Sequence, residues 1–376
     1  MPGIRERFAA LITAQPADLG RAALEIARIA QPDLDPEPSL RTLDALAAGL
    51  APRLPSDPPP DDAARLLAHY LFDECGFRGN RGEYYDPRNS FLNEVLERRV
   101  GIPISLSVLA IEVGRRLRIP LQGVGFPGHF LIRIVGPRGV LLLDPFHGGT
   151  PVSNDELLGR LRNLADTSRG PQFSEVPPRF LEPTGTPGIL GRMLRNLLRI
   201  YLERRELEHA LSAVDLLLVL TPRSAEDLRT RASLYERLEC FAAAAADLRG
   251  YLDVAPGADD AAEIRTKLRQ LDCDAPTLHS RRAPLPRSGP AQGWMSSWRC
   301  PRQSTTPIPT AASRLPTTTA GHASRWRMPS AKTMLASRKP NSKTAKKSTM
   351  PKPRLGLRSA SAIRRAAPMP MSMKTR

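Results

Sequence analysis

The residues best placed to do chemistry are His129 and Asp144, which flank the sequence GPRG at 136 to 139. GPRG reads as a turn, and a two-residue loop of Pro137 and Arg138 pairs Gly136 with Gly139. That register sets Leu131 opposite Asp144 and leaves His129, two residues back, on the same face of the hairpin as Asp144. Any even loop length preserves the arrangement, whereas an odd one separates the two side chains. An imidazole diagonal to a carboxylate, among Phe130, Leu131, Leu142 and Leu143, has its tautomer and charge set by that partner. Such a pair is the base and orienter of a triad, and the chemistry it implies is acyl transfer or amide hydrolysis. A buried, hydrogen-bonded structural pair is the alternative reading.

Two elements must position this pair. LQGVGFPGHFLIRIVGPRGVLLLDPF supplies the hairpin, and GIPISLSVLAIEVGRRL before it supplies a buried helix. In that helix Leu106, Leu109, Ala110, Val113 and Leu117 recur at spacings of three and four and share one face. The preceding segment FLNEVLERRV ends with Arg98 and Arg99, with Gly101 at a C-cap-like place and Pro103 just beyond. Pro103 or Ser105 therefore lies near a helix N-terminus, where free N–H groups favour negative charge, and Ser105 is a natural N-cap.

The order of helix start, histidine on a strand and aspartate on the next strand resembles the transglutaminase-like branch of the papain fold. There a cysteine at the helix start attacks a carbonyl, the histidine is its base and the aspartate orients the histidine. GFRGN, YYDPRNSFLNEVLERRVGIPISLSVL, GVGFPGHFLIR and LLLDPFHGG resemble the bacterial SirB-type proteins, which join such a domain to tetratricopeptide-like helices. The resemblance runs from about Pro16 to Leu271 and is specific over residues 76 to 149. It implies an α+β protein: a transglutaminase-like (papain-like) core with N-terminal helices, then an α-helical tetratricopeptide-like region. His129 and Asp144 match the family's positions, but the nucleophile does not. No cysteine lies between Cys75 and Cys240, and the expected place falls among Pro103, Ile104 and Ser105. Ser105 alone has a hydroxyl there, and almost no serine hydroxyl is ionised at neutral pH. The resemblance thus implies a scaffold without its thiol, in a regulatory or protein-interaction role. The alternative is an active acyl transferase or amide hydrolase with Ser105 as nucleophile. Cys75 reads as a small apolar residue and His147, in FHGG, as a loop residue.

Composition limits other classes. The 376 residues suffice for two or three domains. The net charge of +17 suggests nucleic acid until its distribution is read: residues 275 to 376 hold 21 Lys and Arg and no acid. The remainder has 34 basic and 38 acidic residues, a balance near −4. Four cysteines lack metal spacing or a disulfide framework, so no cofactor or metal is expected. MPGIRERFAALI is charged throughout, unlike a signal peptide, and no run of 18 apolar residues occurs, so a soluble cytoplasmic protein without membrane contact is expected.

Along the chain, residues 4 to 31 and 37 to 54 read as amphipathic helices, and ARLLAHYLFDECGF as another with Leu66, Leu67, Tyr70 and Leu71 inward. These make an N-terminal helical region, 1–75. The core, 76–170, opens with the loop GFRGNRGEYYDPRNS, where Asn89 or Ser90 can cap the next helix and Arg78, Tyr84, Tyr85 and Arg88 can rim a site. NDELLGRLRNL is a helix capped by Asn154, and 171–187 reads as a linker. In 188–272, Tyr201 recurs as Tyr235, Ala210 as Ala244 and Pro222 as Pro256, each 34 residues on, the tetratricopeptide period. Two such units bury little alone and should pack on the preceding domain. They offer either a concave face for a protein or peptide partner or a helical cap. Residues 273–376 read as a disordered basic tail, binding nucleic acid if anything. The absence of acids, with all three tryptophans there, favours an out-of-frame extension.

Overall fold

The computed structural model describes residues 3–168 and 173–280, so the basic tail from 281 onward lies outside the described residues. The stretch read as one helix over 4 to 31 is two, α1 (Ile4–Thr13) and α2 (Leu19–Ala27). Pro16 has no N–H with which to continue a helix, and Asp18 restarts it by accepting the Arg21 N–H at 2.9 Å. Next come α3 (Glu37–Leu50) and α4 (Pro60–Ala68), which widens into a π-helical turn over His69–Glu74. A loop follows with the short strand β1 (Arg78–Gly79) and a 3-10 turn (Pro87–Ser90).

Helix α5 (Leu92–Arg98) begins after Phe91 with no side-chain cap, so neither Asn89 nor Ser90 caps it. Asn89 is instead buried, donating to the carbonyl oxygens of Glu83 and Tyr84. The left-handed residue ending α5 is Arg99, at φ 55°, and not Gly101. Gly101 pairs in β2 (Val100–Gly101), parallel to β1. A Cβ at Gly101 would lie 2.8 Å from Ser105 Oγ and 3.1 Å from Leu106 Cγ, so glycine is required there by close approach. Helix α6 (Pro103–Arg116) follows at once.

The sheet has five antiparallel strands in the order β6-β5-β4-β3-β7: β3 (Gln122–Val124), β4 (Leu131–Gly136), β5 (Gly139–Asp144), β6 (Thr150–Pro151) and β7 (Pro183–Thr184). Gly136 faces Gly139 and Ile132 faces Leu143, the register a two-residue loop dictates. Ile132, Ile134 and Leu143 pack in one core with Leu106, Leu109 and Val113 of α6. The opposite face, with Leu131 and Leu142, is covered by Leu157 and Leu161 of α7 (Asn154–Ser168). Strand β7 lies in the stretch read as a linker and pairs with β3.

Helices α8 (Thr186–Arg204), α9 (Leu207–Leu220), α10 (Ala225–Arg237) and α11 (Phe241–Val254) place Tyr201 and Tyr235 on the first member of each pair and Ala210 and Ala244 on the second. A further helix, α12 (Ala261–Ser280), carries the fold past residue 272. Leu190, Leu194, Leu197, Ala210 and Leu217 share a core with Phe8, Leu24 and Ile26. The first pair therefore packs on the N-terminal helices, as a short array must. Leu228, Ala232, Ala244 and Leu248 form a separate cluster in the second pair.

Candidate functional site

Strand β5 ends at Asp144, and the chain then turns through Pro145–His147 while the carboxylate accepts the N–H groups of Phe146 and His147 at 3.2 and 3.4 Å. His129, just before β4, brings Nε2 to 2.8 Å from Asp144 Oδ1. An ionised carboxylate only accepts, so a neutral His129 ring carries its proton on Nε2 and presents Nδ1 as an acceptor. The other oxygen, Oδ2, takes His147 Nδ1 at 2.8 Å and Arg160 Nη2, from α7, at 2.9 Å. Asp144 is wholly buried. Burial alone would raise its pKa, but the hydrogen bond and charge of His129, joined by His147 and Arg160, outweigh it and hold the carboxyl well below the usual carboxylate range.

The pair expected from the hairpin is thus brought together, and two partners join it that the sequence did not disclose. His147 is in the cluster, its ring centroid 5.8 Å from that of His129, because the turn after Asp144 folds back on the carboxylate. Its spacing of three from Asp144 was the available signal. Arg160 comes from the next helix, and no local pattern marks it.

Ser105 stands elsewhere in the hydrogen-bond network. It is wholly buried, donates to Asn89 O at 2.5 Å and accepts the Ile102 N–H at 3.1 Å. It therefore closes the first turn of α6 from its third position and ties it to the 3-10 turn at Pro87–Ser90, instead of capping the helix from the N-cap. Cys75 is half-buried beside Tyr70 against the main core.

His129, Asp144 and His147 each offer a possible metal-ligating atom within 4.8 Å of the others. Both Asp144 oxygens already accept N–H groups, and the Arg160 guanidinium sits where a cation would be held. Such a donor set fits a saturated hydrogen-bond cluster better than a metal centre.

Aromatic rings extend the site. Phe146 meets His129 edge-on at 6.2 Å, Tyr84 meets Phe146 at 5.9 Å and Tyr85 meets Tyr84 at 5.3 Å. Tyr84, Tyr85 and Arg88 then line a cleft of about 570 Å³ whose far wall is Ile200, Glu203 and Arg204 of α8. Arg199 lies 5.0 Å from the Tyr85 ring centroid and donates to its hydroxyl at 3.2 Å. Gly79 underlies this arrangement: a Cβ there would fall 2.5 Å from Phe146 Cδ2 and 2.6 Å from Phe146 O. Because the backbone oxygen cannot rotate away, Gly79→Ala should cost about 1–3 kcal/mol in urea denaturation. A loss within about 0.3 kcal/mol of zero would show that the Phe146 turn moves freely.

A histidine and an aspartate paired beside an antiparallel hairpin, and paired helices at a 34-residue period, define a transglutaminase-like protein with tetratricopeptide repeats. The Transglutaminase-like superfamily profile matches residues 37–195, and a Tetratricopeptide repeat profile matches 197–269. The chain belongs to the family of the UPF0162 proteins. It is 42% identical over 216 residues to a UPF0162 protein of Xylella fastidiosa, covering 56% of this chain and 74% of that one. To a UPF0162 protein of Pseudomonas aeruginosa it is 34% identical over 259 residues, covering 68% and 92%. Protein SirB1 of Salmonella typhimurium is similar at 26% over 220 residues, covering 58% and 80%. Among the described residues no helix is long and apolar enough to cross a membrane.

Proposed function

We propose that this chain acts by binding and not by covalent catalysis: a transglutaminase-like domain that keeps His129 and Asp144 without a nucleophile, joined to repeats that receive a protein or peptide partner in a regulatory role. The observation that carries this is Ser105, whose hydroxyl proton is committed to the Asn89 carbonyl at 2.5 Å inside the core. A serine nucleophile must instead give that proton to a base, here His129. The cleft walled by Tyr84, Tyr85, Arg88 and α8 supports the binding half of the reading, since it presents exposed aromatic rings beside charged side chains. Acyl transfer by Ser105 is the competing reading and requires the Asn89 bond to open.

The test is affinity capture of the full chain from its native cells with quantitative mass spectrometry. A partner set retained by His129→Gln and depleted at least about tenfold, roughly 1.4 kcal/mol, by Tyr85→Ala with Arg199→Glu is expected. The opposite pattern, loss with His129→Gln and retention with the cleft variant, contradicts the proposal. Deleting residues 281–376 should leave capture unchanged; loss of capture with that deletion favours binding through the basic tail, nucleic acid included.

A further inference from the structure

Helix α8 crosses the boundary between the two family matches, one ending at residue 195 and the other beginning at 197. From this helix Arg192 reaches back to the His129 side. One of its nitrogens, Nη2, donates to both Phe126 O at 2.8 Å and His129 O at 2.7 Å. Those carbonyls bracket the turn that delivers His129, itself closed by His129 N–H to Phe126 O at 3.0 Å. The guanidinium carbon lies 5.5 Å from the Phe130 ring centroid, and no carboxylate among the described residues forms an ion pair with Arg192. Burial pulls its pKa down from the ordinary arginine value, the mark of a cation partly stripped of water. A charge held by carbonyls and one aromatic face is a costly way to fill space. A glutamine amide could serve carbonyls, and a leucine could cover Phe130, without that cost.

We propose that Arg192 is a positioning residue for His129: through it, the helix that opens the repeat region clamps the 126–129 turn and sets the direction in which Nδ1 of the imidazole points. The inference rests on the reading above only in taking the His129 and Asp144 pair as the functional site, and it holds whether that site binds or catalyses. Arg160 fixes the aspartate from one side and Arg192 fixes the histidine backbone from the other. The imidazole is thereby held at both ends of its hydrogen-bonded pair.

Nitrogen-15 NMR of the histidine rings in the full chain tests this directly, because ring shifts report which nitrogen carries the proton. In wild type His129 should show a single Nε2–H tautomer with a downfield proton from its bond to Asp144. Arg192→Met should move its ring nitrogens toward tautomer averaging and lose or broaden that proton. Arg192→Lys, whose single ammonium nitrogen can serve both carbonyls, should restore it. Arg195→Met breaks the neighbouring ion pair of α8 with Asp227 without touching the turn, and should leave the His129 signals in place. If Arg192→Met does not fold, Arg192→Leu, which covers Phe130 and likewise donates no hydrogen bond, replaces it in the comparison. A melting temperature lowered in Arg192→Met with wild-type His129 ring signals would reduce Arg192 to a packing role and overturn the proposal. Equal perturbation by Arg195→Met would overturn it as well.

Discussion

Replacing Asp144 with alanine is expected to destabilise the protein by about 3–5 kcal/mol, the range for breaking a buried ionic cluster by deleting one partner. The carboxylate accepts from His129, His147, Arg160 and two backbone N–H groups, so its removal strands several donors at once. Asp144→Asn should cost less, about 1–3 kcal/mol, because one oxygen survives, yet its amide hydrogens must face donors. The pH dependence has a definite sign. The folded carboxyl is depressed below its unfolded value, so its contribution is whole above the ordinary carboxylate range and drains as pH falls. The stability gap between wild type and Asp144→Asn in urea melts should therefore be full above about pH 4 and close below it. A gap that is small at pH 7, or that widens on going below about pH 4, would contradict the cluster as described.

The second large effect belongs to the repeats. Arg231 of α10 bonds Asp215 of α9 at 2.6 Å and Asp247 of α11 through two nitrogens, both at 2.7 Å, which ties three successive helices. Asp247 is buried, and burial pushes the Asp215 carboxyl up against the opposing pull of Arg231. Arg231→Met removes the cation that bridges Asp215 and Asp247, and about 3–5 kcal/mol should be lost from the repeat region. Hydrogen exchange in α10 and α11 reads this locally. Removing the arginine takes away the main pull against the raised Asp215 carboxyl, so the penalty should shrink as the pH is lowered and Asp215 takes up a proton. Replacing all three residues with apolar ones of similar size should recover most of the loss. Failure of acid to rescue Arg231→Met would show that the ion network is not what couples these helices.

How much of this was legible in the sequence follows from which contacts are local. The glycines around Pro137 and Arg138 set the turn, the turn set the register, and the period of two carried that register back to Asp144 and His129. The 34-residue recurrences exposed the helix pairs because each unit repeats the same close approach, Ala210 in one and Ala244 in the next. Contacts between distant elements left no such trace. Arg160 and Arg192 sit on helices whose patterns record only which face is apolar, and neither the carboxylate nor the carbonyls they meet can be inferred from that. Gly101 was misplaced for a related reason: it is demanded by the nearness of Ser105 and Leu106 and not by backbone twist, which falls on Arg99. Ser105 was found at the helix start, but which of its neighbours would take its proton depended on a turn sixteen residues earlier.

The central claim is that no hydroxyl or thiol is activated by His129. It is tested by labelling the full chain with a fluorophosphonate and, separately, with iodoacetamide, and mapping adducts by mass spectrometry in wild type and His129→Ala. Ser105 should stay unlabelled, and no adduct on Cys75 or Cys240 should depend on His129. An adduct on Ser105, or on any serine or cysteine, that disappears in His129→Ala would show a working nucleophile and contradict it.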